Sequence, residues 1–195
     1  MDQTDIVTFV VGARVLEFRQ VTLTFAESLK TDVFAAKNNK TVAQTLLHRK
    51  YLHLSEFFTT DHRENRDRKL GECVLELKRT GKAEYLKFLN RYGDDVYCDF
   101  RVDDPGTAKL KGLYCFVVDG QVRYLGRCTD SYTKRINQGY GRIHPKNCFR
   151  DGQTTNCHLN ALIAKCREQV RVFVFPMADR ADIESTERRG CPSNC

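Results

Sequence analysis

Hydrophobic positions in the first half of the chain follow two different periods. Ile6 to Val11 is a short apolar run of the strand type. Beyond it, Val15, Leu16, Phe18, Val21, Leu23 and Phe25 roughly alternate with polar residues, which predicts a second strand over RVLEFRQVTLTF. Between 41 and 58 the spacing becomes helical: Val42, Leu46 and Leu47, then Tyr51, Leu54, Phe57 and Phe58, with Thr41 placed to cap the start. Residues 61–69 (DHRENRDRK) read as a charge-dense solvated turn, and 82–92 as another helix. The stretch DDPGTAK at 103–109 reads as a linker, so a boundary is expected between a mixed α/β region (1–105) and a second domain (106–195).

The second half has a clearer order. GLYCFVV and QVRYLG flank Asp119-Gly120, a two-residue hairpin turn. SYTKRINQ predicts a helix beginning at Asp130-Ser131. A Gly-, Pro- and Asn-rich loop precedes an apolar helix at HLNALIAKCRE. RVFVFPM is a third strand, and ADRADIESTERR a last helix. The sum is β-hairpin, α, α, β, α.

Composition and charge narrow the classes. The longest apolar run is Val172–Ala178, far short of the roughly 20 residues a membrane span needs. Asp2 and Asp5 stand where a secretory signal would carry basic residues, so no such signal is expected. The 9 cysteines form no CxxC pair and are odd in number, which points to a reducing cytoplasm and thiols packed as small core residues. Residues 1–105 hold 17 basic and 17 acidic side chains, whereas 106–195 hold 15 and 8, so the net charge of +7 falls in the second half. A one-sided basic segment points to a polyanion, most simply nucleic acid.

The hairpin carries the chemistry. Gly112-Leu113-Tyr114 and Tyr124-Leu125-Gly126 put one tyrosine on each paired strand, Arg135 follows 11 residues after Tyr124, and carboxylates sit on the terminal helix. In this order the residues resemble the GIY-YIG nuclease superfamily, with Leu in place of Ile in both tripeptides, over about 109–195. The resemblance implies a small antiparallel three-stranded sheet flanked by helices and a Mg2+-dependent (or Mn2+-dependent) endonuclease. It implies Tyr114 as general base, Tyr124 as a positioner of phosphate or water, and Arg135 as the guanidinium that binds the scissile phosphate. It also implies a glutamate holding one hard cation. Counting four residues from the apolar Ile183 favours Glu187, with Glu184 the alternative. The family ends in Pro-x-Asn, which would make Asn194 a phosphate contact. Position 139, where some members carry a helper histidine, is Gly.

Other expectations rest on the basic loops. Arg127, Lys134 and Arg142 are candidate DNA contacts near the hairpin and its helix. Lys146, Arg150, Asn156 and His158 are candidates in the 139–160 loop, where Gln153 is a further donor. His144, Cys148, Cys157 and His158 have the types of a zinc set, but adjacent Cys157-His158 fits poorly, and a basic loop with packed cysteines is preferred to structural zinc. Segment 41–58, with Lys40, His48, Arg49, Lys50 and His53, reads either as a core helix or as a DNA-reading one. The combined expectation is a cytoplasmic endonuclease of restriction, homing or phage type, acting on duplex DNA, with a homodimer fitting the two sites that cutting both strands calls for. The alternatives are a non-cleaving nucleic-acid-binding protein on the same fold, a nuclease for RNA or single strands, and a cysteine-rich zinc scaffold.

Overall fold

The computed structural model describes residues 6–60 and 62–190. It is a mixed α/β protein with antiparallel sheets, and it forms two compact units that interleave in sequence. The first unit takes the described residues up to 27, residues 99–142, and those from 165 onward. The second takes 28–98 and 143–164. Neither unit is a half of the chain, so the division expected at 105/106 is replaced by an interleaved one. The expected linker is ordered structure inside the first unit: Asp104 accepts from the backbone of Gly106 and Thr107 and starts a short helix, α4 (Pro105–Ala108), with Pro105 in its first turn.

In the first unit, β1 (Ile6–Val11) and β2 (Arg14–Val21) form a hairpin. β2 then pairs with β7 (Val170–Pro176), and β7 with β5 (Gly112–Val118), which forms the expected hairpin with β6 (Gln121–Cys128). The order β1-β2-β7-β5-β6 is one five-stranded antiparallel sheet, where three strands were expected. The second hairpin turns at Asp119-Gly120, where both residues have positive φ (51° and 74°), the geometry that suits Asp-Gly.

Strand alternation divides the residues of this sheet between two faces. One face buries Leu16, Phe18, Leu113, Cys115 and Phe173 beneath Ile183 of α6 (Arg180–Gly190). The other carries Tyr114, Phe116 and Tyr124, whose rings meet Tyr140. β3 (Leu23–Lys30) and β4 (Tyr97–Val102), through which the chain leaves the first unit and returns to it, form a separate two-stranded sheet.

The second unit is built from short helices. Thr41 caps α1 (Val42–Leu46) in a capping box with Gln44, but α1 stops after 5 residues, so 41–58 is a series of short turns and not one helix. α2 spans Phe57–Thr60. α3 (Leu70–Arg79) was not anticipated, although Leu70, Cys73, Val74 and Leu77 form a helical stripe, all buried. Residues 83–87 form a 3₁₀ turn in place of the expected helix. α5 (Thr154–Lys165) adds Cys157 and Ala161 to a core of Phe34, Phe58, Phe88 and Phe149. No helix among the described residues is long and apolar enough to cross a membrane.

Candidate functional site

The tyrosine face gathers its chemistry around one hydroxyl. Tyr114 lies on β5 with its ring directed across β6, opposite Gly126. A Cβ at Gly126 would come within 2.5 Å of the Tyr114 hydroxyl and 2.7 Å of the Tyr124 ring, so only glycine leaves room for both rings. The last residue of the YLG tripeptide is therefore a packing requirement for the first. Tyr114 is fully buried, and its hydroxyl shares a 2.9 Å hydrogen bond with that of Tyr140. The Tyr124 hydroxyl reaches the same Tyr140 oxygen at 3.4 Å. Arg135 donates from Nε to the Tyr114 hydroxyl at 3.3 Å, and its guanidinium sits 4.7 Å from the centre of the Tyr140 ring.

The segment that delivers Arg135 and Tyr140 is a π-helix, Thr133–Tyr140, where an α-helix was expected. Its wider winding changes which residues share a face. The expected helper position, 139, lies one residue short, and the group that meets Tyr114 is Tyr140, five residues after Arg135. The segment is anchored on β4. Gly141 packs so tightly that a Cβ would fall 2.0 Å from the Phe100 carbonyl, and Asn137 donates to the Val102 carbonyl and accepts from the Val102 amide. Tyr132, buried beside the segment, donates to the Leu113 carbonyl at 2.9 Å. Tyr140 and Asn137 were missed because an α-helical period does not place them at the site.

Burial dominates the electrostatics. It pushes the Tyr114 phenol well above its ordinary value, with Tyr140 and Tyr124 adding to the effect and Arg135 opposing it. Tyr140 is raised for the same first reason. Burial works against the Arg135 charge, yet the facing tyrosine oxygens hold its pKa above the usual guanidinium range.

The carboxylates stand elsewhere. Glu187 follows Ile183 by one helical turn on α6, which packs on the opposite face of the sheet. Its carboxylate is paired with Arg127 of β6 at 2.9 Å, and the two side chains are 23% and 38% exposed. β6 is the outer strand of the sheet at this end. Glu184 pairs instead with Arg180 at 3.0 Å. Among the described residues no three His, Cys, Asp or Glu side chains converge as a metal cluster. A magnesium ion does not need such a cluster, because it keeps most of its waters and accepts one carboxylate. Glu187, half-enclosed at the sheet margin, meets that modest requirement once Arg127 yields its place.

The candidate nucleic-acid contacts separate. Lys134 is exposed and paired with Asp130 at 2.7 Å, and Arg142 is exposed. Lys146 and Arg150 are exposed in the second unit. Asn156 is 5% exposed and bonded to Gln153, so it is a packing residue rather than a surface contact. His158 stacks on Tyr92 with ring centres 4.2 Å apart. Asn194 lies outside the described residues. The four groups considered for zinc do not meet. Cys148 and Cys157 are buried near Tyr97, while the His144 ring accepts from the Lys146 amide and His158 lies against Tyr92.

No family model, curated protein or solved structure matches this chain.

Proposed function

We propose that the first unit is a nuclease module of the GIY-YIG kind that hydrolyses phosphodiester bonds in duplex DNA. The observation that carries this reading is the convergence of Tyr114, Tyr124 and Arg135, the three residues the resemblance singles out, on one hydroxyl network. The antiparallel neighbours β7-β5-β6 support the reading, within a five-stranded sheet that also includes β1 and β2. The seven described cysteines are all free thiols, in keeping with a reducing cytoplasm.

The roles follow from burial. Arg135 presents its terminal nitrogens to the scissile phosphate and stabilises the charge that builds there, while Tyr114 and Tyr140 fix its orientation. The hydroxyls of Tyr114, Tyr140 and Tyr124 share a chain of hydrogen bonds through Tyr140. Tyr114 is fully buried, so this reading gives the base role to Tyr124, the half-buried member of the network, which would release its own phenol proton to solvent before taking one from the attacking water. Glu187, at the β6 margin of the sheet, would hold magnesium, and that ion would supply positive charge to the phosphoryl reaction.

Supercoiled plasmid is the test substrate. Magnesium-dependent nicking that disappears in EDTA and in Arg135→Ala and Tyr124→Phe is the expected result. Nicking that survives both substitutions overturns the assignment. Salt-sensitive binding with no cutting by the wild type would leave a binding module on this fold.

A further inference from the structure

Sorting residues by unit, and not by half, moves the positive charge. The second unit holds 16 Lys and Arg against 11 Asp and Glu, whereas the first holds 16 against 14. Five of the seven net charges therefore belong to a unit with none of the tyrosine chemistry.

We propose that the second unit carries its own binding site for the sugar-phosphate backbone of duplex DNA, in the groove between residues 86–91 and Arg150. This inference rests on the reading of the protein as one that acts on nucleic acid. The groove, of about 390 Å³, is lined by Leu86, Lys87, Leu89, Asn90, Arg91 and Arg150: three cationic side chains and no acidic one.

Its two walls are fastened together. Arg150 donates its backbone N–H to the Phe88 carbonyl, Leu89 pairs with Phe149 as an isolated β-bridge, and the Asn90 amide donates to the carbonyls of Asn147 and Phe149. The basic groups are therefore displayed on a rigid lip, which spares binding the cost of ordering a loop. The Arg150 guanidinium rests against His53 at 3.5 Å and the Lys87 carbonyl at 3.4 Å. Lys50 is held to the Arg150 carbonyl at 2.6 Å and adds a fourth cation. Arg91 lies over the Tyr92 ring at 5.3 Å, and that ring stacks on His158.

The nearby carboxylates are engaged elsewhere. Asp151 accepts from Tyr51 at 2.6 Å, and Asp94 is bound by Lys78 and Tyr85. Glu84 approaches the groove cation Lys87 at 3.8 Å, and between partly exposed side chains that contact is weak. Cations on a fixed rim whose lining contains no acidic side chain suit the regularly spaced charges of a phosphate backbone and supply register without base readout.

The experiment is fluorescence anisotropy with the full chain and a labelled 25-base-pair duplex of mixed sequence, in EDTA, over a salt series. Lys87→Ala/Arg91→Ala is expected to weaken binding roughly tenfold or more and to lower the log–log salt slope by about two. Arg79→Ala/Lys82→Ala, which removes two exposed cations elsewhere in the same unit, is the control and should leave both unchanged. Matching thermal unfolding midpoints establish that each variant is folded. Equal losses in the two double variants, or no loss in the groove variant, overturn the inference, and so does a wild type that binds no duplex at low salt. Plasmid cutting separates this site from the nuclease reading. A wild type that binds through the groove but never cuts removes the nuclease and keeps the groove. A cutting enzyme whose affinity ignores the groove does the reverse.

Discussion

The two faces of the five-stranded sheet are made by the same strands and do opposite work. One face is aliphatic and phenyl packing around Phe18, Cys115 and Ile183, with polar chemistry only at its margin, where Arg127 meets Glu187. The other buries almost as much, but does so with tyrosines whose hydroxyls are strung around Arg135. Both faces are built largely from buried side chains, although Tyr124 and Arg135 stay partly exposed, so burial alone does not distinguish a core from a site. What distinguishes them is whether the buried groups retain polar atoms that need one another.

Substitutions on the two faces should therefore separate stability from activity. The largest stability loss belongs to the apolar face. Phe18→Ala, at a fully buried ring, is expected to cost about 3–5 kcal/mol in denaturant unfolding. A loss under about 1 kcal/mol would mean this face is not a packed core. Next comes Arg135→Ala, with a fall in plasmid cutting of about 10²- to 10³-fold, equivalent to about 3–4 kcal/mol of transition-state stabilisation, against a stability loss of only about 1 kcal/mol. An equal fall in both measurements would make Arg135 a structural residue.

Gly126→Ala tests the dependence of one tripeptide on the other. The added methyl must displace Tyr114 or Tyr124, at about 1–3 kcal/mol, and cutting should fall with it. Alkaline titration reads both faces together. Burial lifts the Cys115 thiol from an ordinary 9.0 to about 12, so the folded state keeps a proton that the unfolded chain releases. Stability is therefore full below about pH 9 and is lost progressively as pH rises towards about 12. Cys115→Ala should reduce the loss that begins near pH 9 without abolishing it, because the raised thiols of Cys73, Cys128 and Cys148 share that onset, while the raised Tyr114 and Tyr140 keep the loss that begins above the ordinary phenol range near pH 10. The smallest effect on stability is Glu187→Gln, below about 1 kcal/mol for a partly exposed pair. The same variant should shift or abolish the magnesium titration of cutting, and an unchanged titration would place the cation elsewhere.

The parts of the fold legible in the residues were those set by local pattern. Asp119-Gly120 dictates a tight hairpin, the runs on either side of it are strands, and the third strand and last helix stand where their apolar residues place them. The misreadings arose where contacts are distant. Nothing local in Arg19, Gln20 or Val21 reveals that their partners are Val174, Phe173 and Val172. The same applies to the interleaving of the units, which a boundary drawn from DDPGTAK cannot express. Of the site, Tyr114, Tyr124 and Arg135 were accessible from motif order, but Tyr140 was not, because the winding of its helix depends on how Gly141 and Asn137 dock on β4. A count by halves hides the charge of the second unit for a related reason, since 1–105 sums the acidic first-unit stretches 1–27 and 99–105 with the basic stretch 28–98.

The pairing of β2 with β7 sets the order in which this molecule can be made. On the ribosome the first hairpin emerges early, yet its neighbour in the sheet is encoded about 150 residues later. Until then β2 is an unpaired edge carrying Leu16 and Phe18, the kind of surface that chaperones hold and that aggregates when left bare. Closing so long a loop makes late, concerted assembly of the sheet the expected route. An N-terminal fragment of the nascent chain should accordingly remain protease-sensitive until Val170–Pro176 has cleared the exit tunnel.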